Sequence, residues 1–210
     1  SAFYKKKIEE AGIAKCPVVH MTNFLPEGTE YSASEKPGEY FLYFGRISRE
    51  KGILTLVKAY AEAKVEKPLY IVGTGPIEGL VYQLIEELHM SDRVKMLGFK
   101  SGNELKEIVA NALCVCLPSE WYENGPYSIM EAQAVGKPVI VSENGGLPEL
   151  VENGVMGYIV KPKNVADLKD KLVCCVGEKW NAEKIVEEAK KKYITQNYAN
   201  KILKAYKDFI

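Results

Sequence analysis

The stretch Leu113-Cys-Val-Cys-Leu-Pro-Ser-Glu-Trp-Tyr-Glu123-Asn-Gly-Pro-Tyr-Ser-Ile-Met-Glu131-Ala-Gln-Ala-Val135 changes character halfway along. Leu113 to Leu117 is a continuous apolar run, the pattern of a buried strand. The Gly125-Pro126 pair breaks the pattern, and Pro126 to Val135 reads as a helix. Glu123 is therefore expected on a loop at the C-terminal end of a strand. Glu131, eight positions on, falls on the first turns of the next helix. In an open α/β sheet that edge is where ligands bind. Backbone N–H groups at the helix start favour an anion. Two carboxylates facing such a helix end do little for the anion itself. They suit a ligand that carries both a phosphate and neutral hydroxyls, because a carboxylate accepts hydrogen bonds from sugar O–H groups. That combination describes a nucleotide sugar.

Outward from this segment the same strand-then-helix alternation repeats. Strands are predicted at Tyr40 to Phe44, Leu69 to Val72, Val94 to Leu97, Leu113 to Leu117, Pro138 to Ser142 and Tyr158 to Val160. Helices are predicted at Ile53 to Lys64, Ile77 to His89, Asn103 to Asn111, Tyr127 to Val135, Leu147 to Val151 and Val165 to Val176. The strands are short, apolar and non-alternating, which fits burial on both faces. The spacing fits right-handed crossovers and a doubly wound, mostly parallel six-stranded Rossmann-like α/β sheet with extra terminal helices. Residues 1–39 form a crossover segment and linker, 40–177 the Rossmann-like domain, and 178–210 the C-terminal helices. In the first part Ala2 to Gly12 reads as an amphipathic helix and Val18 to Met21 as a strand. Phe24 to Glu39 is a polar loop holding Pro26, Gly28, Pro37 and Gly38. Lys179 to Ile210 reads as two helices. The last carries Ile202, Leu203, Tyr206, Phe209 and Ile210 as an apolar stripe. Docking of that stripe onto this domain is the first expectation, and packing on a partner domain the alternative.

Composition narrows the function classes. The 210 residues are 47% apolar and 27% charged, with 28 Lys plus Arg against 28 Asp plus Glu. A balance near zero argues against a general nucleic-acid or membrane surface, so any phosphate site must be local. Lys5 to Lys7 and Lys190 to Lys192 sit among glutamates and read as solvated helix faces. Five cysteines without metal or redox spacing suggest a reducing compartment, with Cys114 and Cys116 as small core residues on one strand face. No run is long and apolar enough to span a membrane and no signal peptide is visible, so a cytoplasmic location is expected. Ser1 at the start suggests a processed or excised chain.

Three more loops fall on the same sheet edge. Gly45-Arg46-Ile-Ser-Arg-Glu-Lys51-Gly52 follows the first core strand. Arg46 can clasp a diphosphate with its planar fork and Lys51 supplies a point charge. The plain alternative is an ordinary basic loop, and the loop lacks the Walker pattern. Gly73-Thr-Gly75-Pro76 resembles the start of a dinucleotide fingerprint, but Glu78 holds the third glycine position and the loop follows the second strand. It reads as a tight turn lining the pocket. Asn144-Gly-Gly146-Leu-Pro-Glu149 follows the fifth strand. Glu149 either accepts from a ligand hydroxyl or caps its short helix, and the pocket role is favoured. Trp121 and Tyr122 either stack on a sugar ring or wall the loop. His20 and His89 lack partners and read as structural. No metal cluster of the Asp-x-Asp kind and no nucleophile elbow is present in the sequence.

Taken in order, Gly-Arg-x4-Lys-Gly at 45–52, Val-Gly-x-Gly-Pro at 72–76, Pro-Ser-x3-Glu at 118–123, Glu-Ala-x-Ala-x-Gly-x-Pro-Val at 131–139 and Gly-Gly-x2-Glu at 145–149 resemble the C-terminal, donor-binding half of a family 4 glycosyltransferase of the GT-B fold. The resemblance runs from about Tyr40 to Leu172. It implies that Arg46 and Lys51 bind the donor diphosphate and that Glu131 holds the ribose hydroxyls. Glu123, with Arg46 and Lys51, would be catalytic, contacting the donor sugar or stabilising charge near its anomeric carbon. Asn124, Gly125, Tyr127, Ser128, Gly146 and Glu149 would line the sugar and phosphate site, Gly75 would line the pocket, and main chain near Phe99 and Lys100 would face the base. Where many members have Gly before the helix, this chain has Pro126, which removes one N–H donor. The resemblance further implies a hexose transferred with retention from a UDP-, GDP- or ADP-sugar to a glycan or lipid-linked acceptor. No cofactor and no metal are implied. Polysaccharide assembly, reaching at most the inner face of the membrane through a missing N-terminal acceptor domain, is the implied setting. Alone, the chain is expected to bind nucleotide but turn over little. A non-catalytic nucleotide-sugar module and a GT-B-like epimerase or phosphorylase are the alternatives.

Overall fold

Six strands pair in the order β3-β2-β1-β4-β5-β6, every neighbouring pair parallel. The computed structural model describes residues 1–36 and 38–209. Pro37 in the polar loop and Ile210 in the terminal stripe lie outside the described residues, as does the side chain of Phe209. The strands are β1 (Tyr40–Phe44), β2 (Leu69–Val72), β3 (Val94–Gly98), β4 (Ala112–Leu117), β5 (Val139–Ser142) and β6 (Gly157–Val160). Every residue of β1 and β5 is buried, whereas edge strand β3 buries only Val94. The central strands are apolar throughout because helices cover both of their faces.

The helices are α1 (Ala2–Glu10), α2 (Ile53–Ala63), α3 (Glu78–Glu87), α4 (Gly102–Asn111), α5 (Tyr127–Ala134), α6 (Leu147–Leu150), α7 (Val165–Gly177), α8 (Ala182–Tyr193) and α9 (Thr195–Phe209). From β1 the chain winds outward to β3, then returns through α4 to β4 and winds the other way. Right-handed crossovers put α2 and α3 on one face and α5 on the other. Helix α7 packs on α2, and α8 packs on α5. The reversal leaves a crevice at the C-terminal ends of β1 and β4, the switch point of a doubly wound sheet. Cys114 and Cys116 of β4 and Cys175 of α7 are buried together, while Cys16 and Cys174 are exposed. Burial pushes the Cys114 thiol well up, and the Cys116 and Cys175 thiols add to it. Among the described residues no helix is long and apolar enough to cross a membrane.

Two sequence expectations are corrected. Val18 to Met21 forms no strand: it is irregular, and Val19 is 45% exposed. Its two valines favour extended backbone, but the segment runs over the surface with no strand beside it to complete a ladder. The stripe of α9 docks on this domain only in part: Ile202 is half-buried, but Leu203 and Tyr206 stay 59% and 64% exposed. Helix α8 does dock, burying Ile185, Ala189 and Tyr193. The Tyr193 hydroxyl donates to Gln133 Oε1 at 2.7 Å inside the α5–α8 interface.

Candidate functional site

The crevice is built first by backbone. Gly52 has φ 71°, and a Cβ there would stand 1.9 Å from the Pro118 carbonyl oxygen. Only glycine lets the loop after β1 lie this close to the loop after β4. The Ser48 hydroxyl donates to Glu50 at 2.6 Å, which pulls the Glu50 carboxyl down. The Glu120 amide donates to the Glu50 carbonyl at 2.8 Å and fixes the two loops side by side. That contact brings Lys51 to Glu123. Lys51 Nζ donates to Glu123 Oε1 at 2.7 Å, and the single proton of the Ser119 hydroxyl is shared between that oxygen at 2.8 Å and the Glu50 carbonyl at 2.9 Å. The second oxygen, Oε2, has no partner among the described residues. The side chains of Lys51 and Glu123 are 25% and 13% exposed, so the pair is largely desolvated.

Arg46 stands at the rim, and its main chain is anchored from below. Tyr43, inside β1, donates its hydroxyl to the Arg46 carbonyl at 2.6 Å. Burial pushes that phenol far up, with the Glu123 and Glu50 carboxylates adding, so it stays protonated and remains a donor. The loop after β2 lies directly against the loop after β1. A Cβ on Gly73 would meet the Gly45 carbonyl at 1.9 Å. The Gly75 amide donates to Glu78 Oε1 at 2.6 Å, so the acid in the third glycine position of the apparent fingerprint closes the turn on itself. Arg46, Gly73, Gly75, Phe99 and Lys100 line one open hollow of about 560 Å³. Phe99 is 71% exposed there. Lys100 is paired with Glu104 at 2.5 Å.

On the β4 side the loop that carries Glu123 is held from three directions. The Gly146 amide donates to the Glu123 carbonyl at 2.6 Å, and Glu123 and Gly145 form a parallel bridge. Asn23 Nδ2 donates to the Gly125 carbonyl at 2.9 Å. Asn144 Nδ2 reaches the Ser119 carbonyl at 3.1 Å, beside a short contact from the Ser142 hydroxyl. Helix α5 then starts at Tyr127, and the amides of Tyr127 and Ser128 have no acceptor among the described residues. Glu131 is exposed by surface area, yet enough protein surrounds its carboxyl to push its pKa up by desolvation.

The favoured pocket role of Glu149 is corrected by its contacts. Its two carboxylate oxygens accept from the Ala2 and Phe3 amides, each at 2.8 Å, so it caps α1 rather than its own short helix. The Gly146 amide is likewise spent on the Glu123 carbonyl. Gly146 thus holds the Glu123 loop, and Glu149 holds the start of α1. Lys51 and Glu123 are thus in contact, and Arg46, Gly75, Phe99 and Lys100 share one hollow. Asn124, Gly125 and Glu149 line a second hollow, of about 530 Å³, between segment 20–23, α6, α8 and α9. Sequence reading missed Tyr43, Ser119 and Asn23. A tyrosine in an apolar strand, a serine beside a proline and an asparagine in a loop carry no local sign of the long-range bonds they make. Among the described residues no three His, Cys, Asp or Glu side chains are placed to hold a metal ion.

The arrangement offers a guanidinium and an ammonium at the start of one crossover, with carboxylates and free amides at the start of another. Known proteins resemble the chain in sequence and in fold. The sequence model described as Glycosyl transferases group 1 matches residues 29–192. An uncharacterized glycosyltransferase of Methanocaldococcus jannaschii is 33% identical over 79% of this chain and 44% of its own length. The N-acetyl-alpha-D-glucosaminyl L-malate synthase of Bacillus anthracis is 28% identical over 84% of this chain and 46% of its own. The chain therefore spans less than half the length of either relative. The Anabaena protein HepE, solved in complex with UDP, superposes with a TM-score of 0.74 at 22% identity, covering 99% of this chain and 53% of HepE. In fold the chain corresponds to one Rossmann-like half of a GT-B glycosyltransferase. With the family match extending over most of its residues, the chain belongs to the group 1 family of glycosyl transferases.

Proposed function

We propose that this chain is the donor-binding half of a retaining, metal-independent glycosyltransferase of family 4, which moves a hexose from a nucleotide diphosphate to a glycan or lipid-linked acceptor. One observation carries the reading: Lys51 and Glu123 meet across the switch point at 2.7 Å. A cation that belongs with a diphosphate and a carboxylate that belongs with a sugar are thereby placed where the two parts of a nucleotide sugar adjoin. Arg46 and Lys51 bind the diphosphate, with Lys51 keeping Glu123 on one of its three N–H groups. The free Oε2 of Glu123 and the amides of Tyr127 and Ser128 address the hexose and the adjoining phosphate. Glu131 accepts from the ribose hydroxyls. Gly75, Phe99 and Lys100 border the base.

In the reaction the bond from the anomeric carbon to the diphosphate oxygen breaks. The acceptor oxygen bonds to that carbon from the same face, and its proton passes to the departing phosphate oxygen. Negative charge grows on the diphosphate, where Arg46, Lys51 and the α5 N-terminus stabilise it. The acceptor pocket lies on a partner domain, so the chain alone binds nucleotide and transfers little. The setting is the cytoplasm, up to the inner face of the membrane. Calorimetric titration with UDP, GDP and ADP tests the reading. One nucleotide is expected to bind, with Arg46→Ala and Glu131→Ala each weakening it by about 10–100-fold, the loss of one charge-assisted contact. The UDP held by HepE favours UDP. Unchanged affinity in both variants would remove the site from this crevice.

A further inference from the structure

We propose that the second hollow is a binding site for a small phosphate-bearing polyol, separate from the nucleotide crevice. The hollow has a volume of about 530 Å³, in the range of small-molecule sites. Lys192 and Lys201 face into it with His20, and Asn23, Asn124 and Asn200 add amide groups. Met130 and Leu150, both buried, form an apolar floor that suits the carbon skeleton of a polyol.

Three lysines and one carboxylate line the hollow. Lys191 also borders the hollow, but Glu187 and Glu188 neutralise it at 2.7 and 2.9 Å. Glu149 is the one carboxylate among the lining residues; both of its oxygens accept from the amides of α1, and Oε2 also lies 3.8 Å from His20 Nε2. Lys192 donates to the carbonyls of Glu149 and Leu150 at 3.4 and 3.3 Å and to Met156 Sδ at 3.9 Å, the last a weak acceptor that an anion would displace. Burial holds the Lys192 pKa down, so a neighbouring anion would relieve the cost of its charge. Lys201 has no carboxylate within ion-pairing distance among the described residues. His20 reports the same field. Its pKa is lowered first by burial, with Lys201 and Lys5 adding and Glu149 opposing. Two ammoniums, an imidazole and side-chain amides supply more donors than a carboxylate can accept and match the three terminal oxygens of a phosphate ester. Amide oxygens of Asn23 and Asn197 remain for hydroxyls, because each residue uses only its Nδ2 in the structure.

The chain has two histidines, so their proton resonances provide a direct assay. The full chain is titrated from pH 5 to 8, the span in which histidine changes charge, with glycerol 3-phosphate, with inorganic phosphate, or with glycerol as the neutral control. Both phosphates are expected to raise the His20 pKa by about one pH unit, as a nearby anion does. His89 and the glycerol control should stay unmoved. Lys201→Met, at an exposed side chain outside the core, should weaken glycerol 3-phosphate by about tenfold. Arg46→Ala should leave the response intact. Three outcomes overturn the proposal: no His20 response, an equal response at His89, or full retention of the response in Lys201→Met. Loss of the response in Arg46→Ala also overturns it, because the phosphate would then occupy the nucleotide crevice. Failure of the nucleotide titration alone would leave this site standing.

Discussion

Replacing Lys51 by Met tests whether the two crossover loops are joined by charge. At 2.7 Å and an effective dielectric of about 20, the gross attraction of the pair is ~6 kcal/mol. Desolvation of both partners cancels much of it. Lys51→Met leaves a carboxylate only 13% exposed with a single donor, the Ser119 hydroxyl. The expected loss is about 2–3 kcal/mol, that of a charged hydrogen bond plus a stranded buried charge. Glu123→Gln keeps an acceptor for Ser119 and Lys51, so its expected cost is about 1 kcal/mol. Once residue 123 is neutral, adding Lys51→Met should cost little more. The double-mutant cycle should therefore yield a coupling of about 1.5–2 kcal/mol. In a chain of this size Lys51→Met alone should lower Tm by about 5–10 °C. Urea denaturation of the four proteins, followed by far-ultraviolet circular dichroism, supplies the numbers. If the two single effects add to within about 0.5 kcal/mol, the pair contributes no coupling, and the reasoning about the crevice fails.

Three further perturbations have defined outcomes. The Glu131 carboxyl lies above its ordinary value through desolvation, so the folded chain holds more protons than the unfolded chain between those two values. Stability therefore falls as pH rises through that interval. Glu131→Gln should be more stable than the parent at neutral pH, equal to it below the carboxylate range, and weaker for nucleotide; urea midpoints at the two pH values check this. Gly73→Ala puts a Cβ 1.9 Å from the Gly45 carbonyl at a φ of 132°, and should cost at least about 2 kcal/mol while displacing Arg46. Calorimetry should show Tm and nucleotide affinity falling together. Tyr43→Phe removes the donor to the Arg46 carbonyl and should cost about 1–3 kcal/mol. An unchanged Tm would mean that water replaces the hydroxyl.

The sequence shows most clearly what repeats locally. Tyr40–Phe44 and Leu69–Val72 are legible as strands to the residue, because inner strands of a sheet covered on both faces are apolar. The switch-point loops are legible because glycine, arginine and the paired glutamates fall at fixed places after each strand. Val18 to Met21 shows the limit, since strand propensity counts only where a neighbouring strand supplies hydrogen bonds. The α9 stripe shows another: periodicity reveals an apolar face but not what, if anything, covers it. Contacts over long separations are the least legible. Glu149 reaches the amides of Ala2 and Phe3, and Lys51 reaches Glu123, across more chain than any local pattern spans. Glu149 looks like a ligand carboxylate until α1 is seen to occupy it.

The placement of the five cysteines has a use of its own. Cys16 and Cys174 lie open to solvent, while Cys114, Cys116 and Cys175 are closed between the middle of the sheet and α7. A maleimide added to the native chain meets two accessible thiols at once. It reaches the other three only when the centre of the sheet opens, because they are shielded from reagent and the raised pKa of Cys114 also suppresses its reactive thiolate. The slow phase of labelling thus measures how often α7 and β4 part, without an introduced probe. A nucleotide that clamps the crevice should lengthen that phase and leave the fast one unchanged.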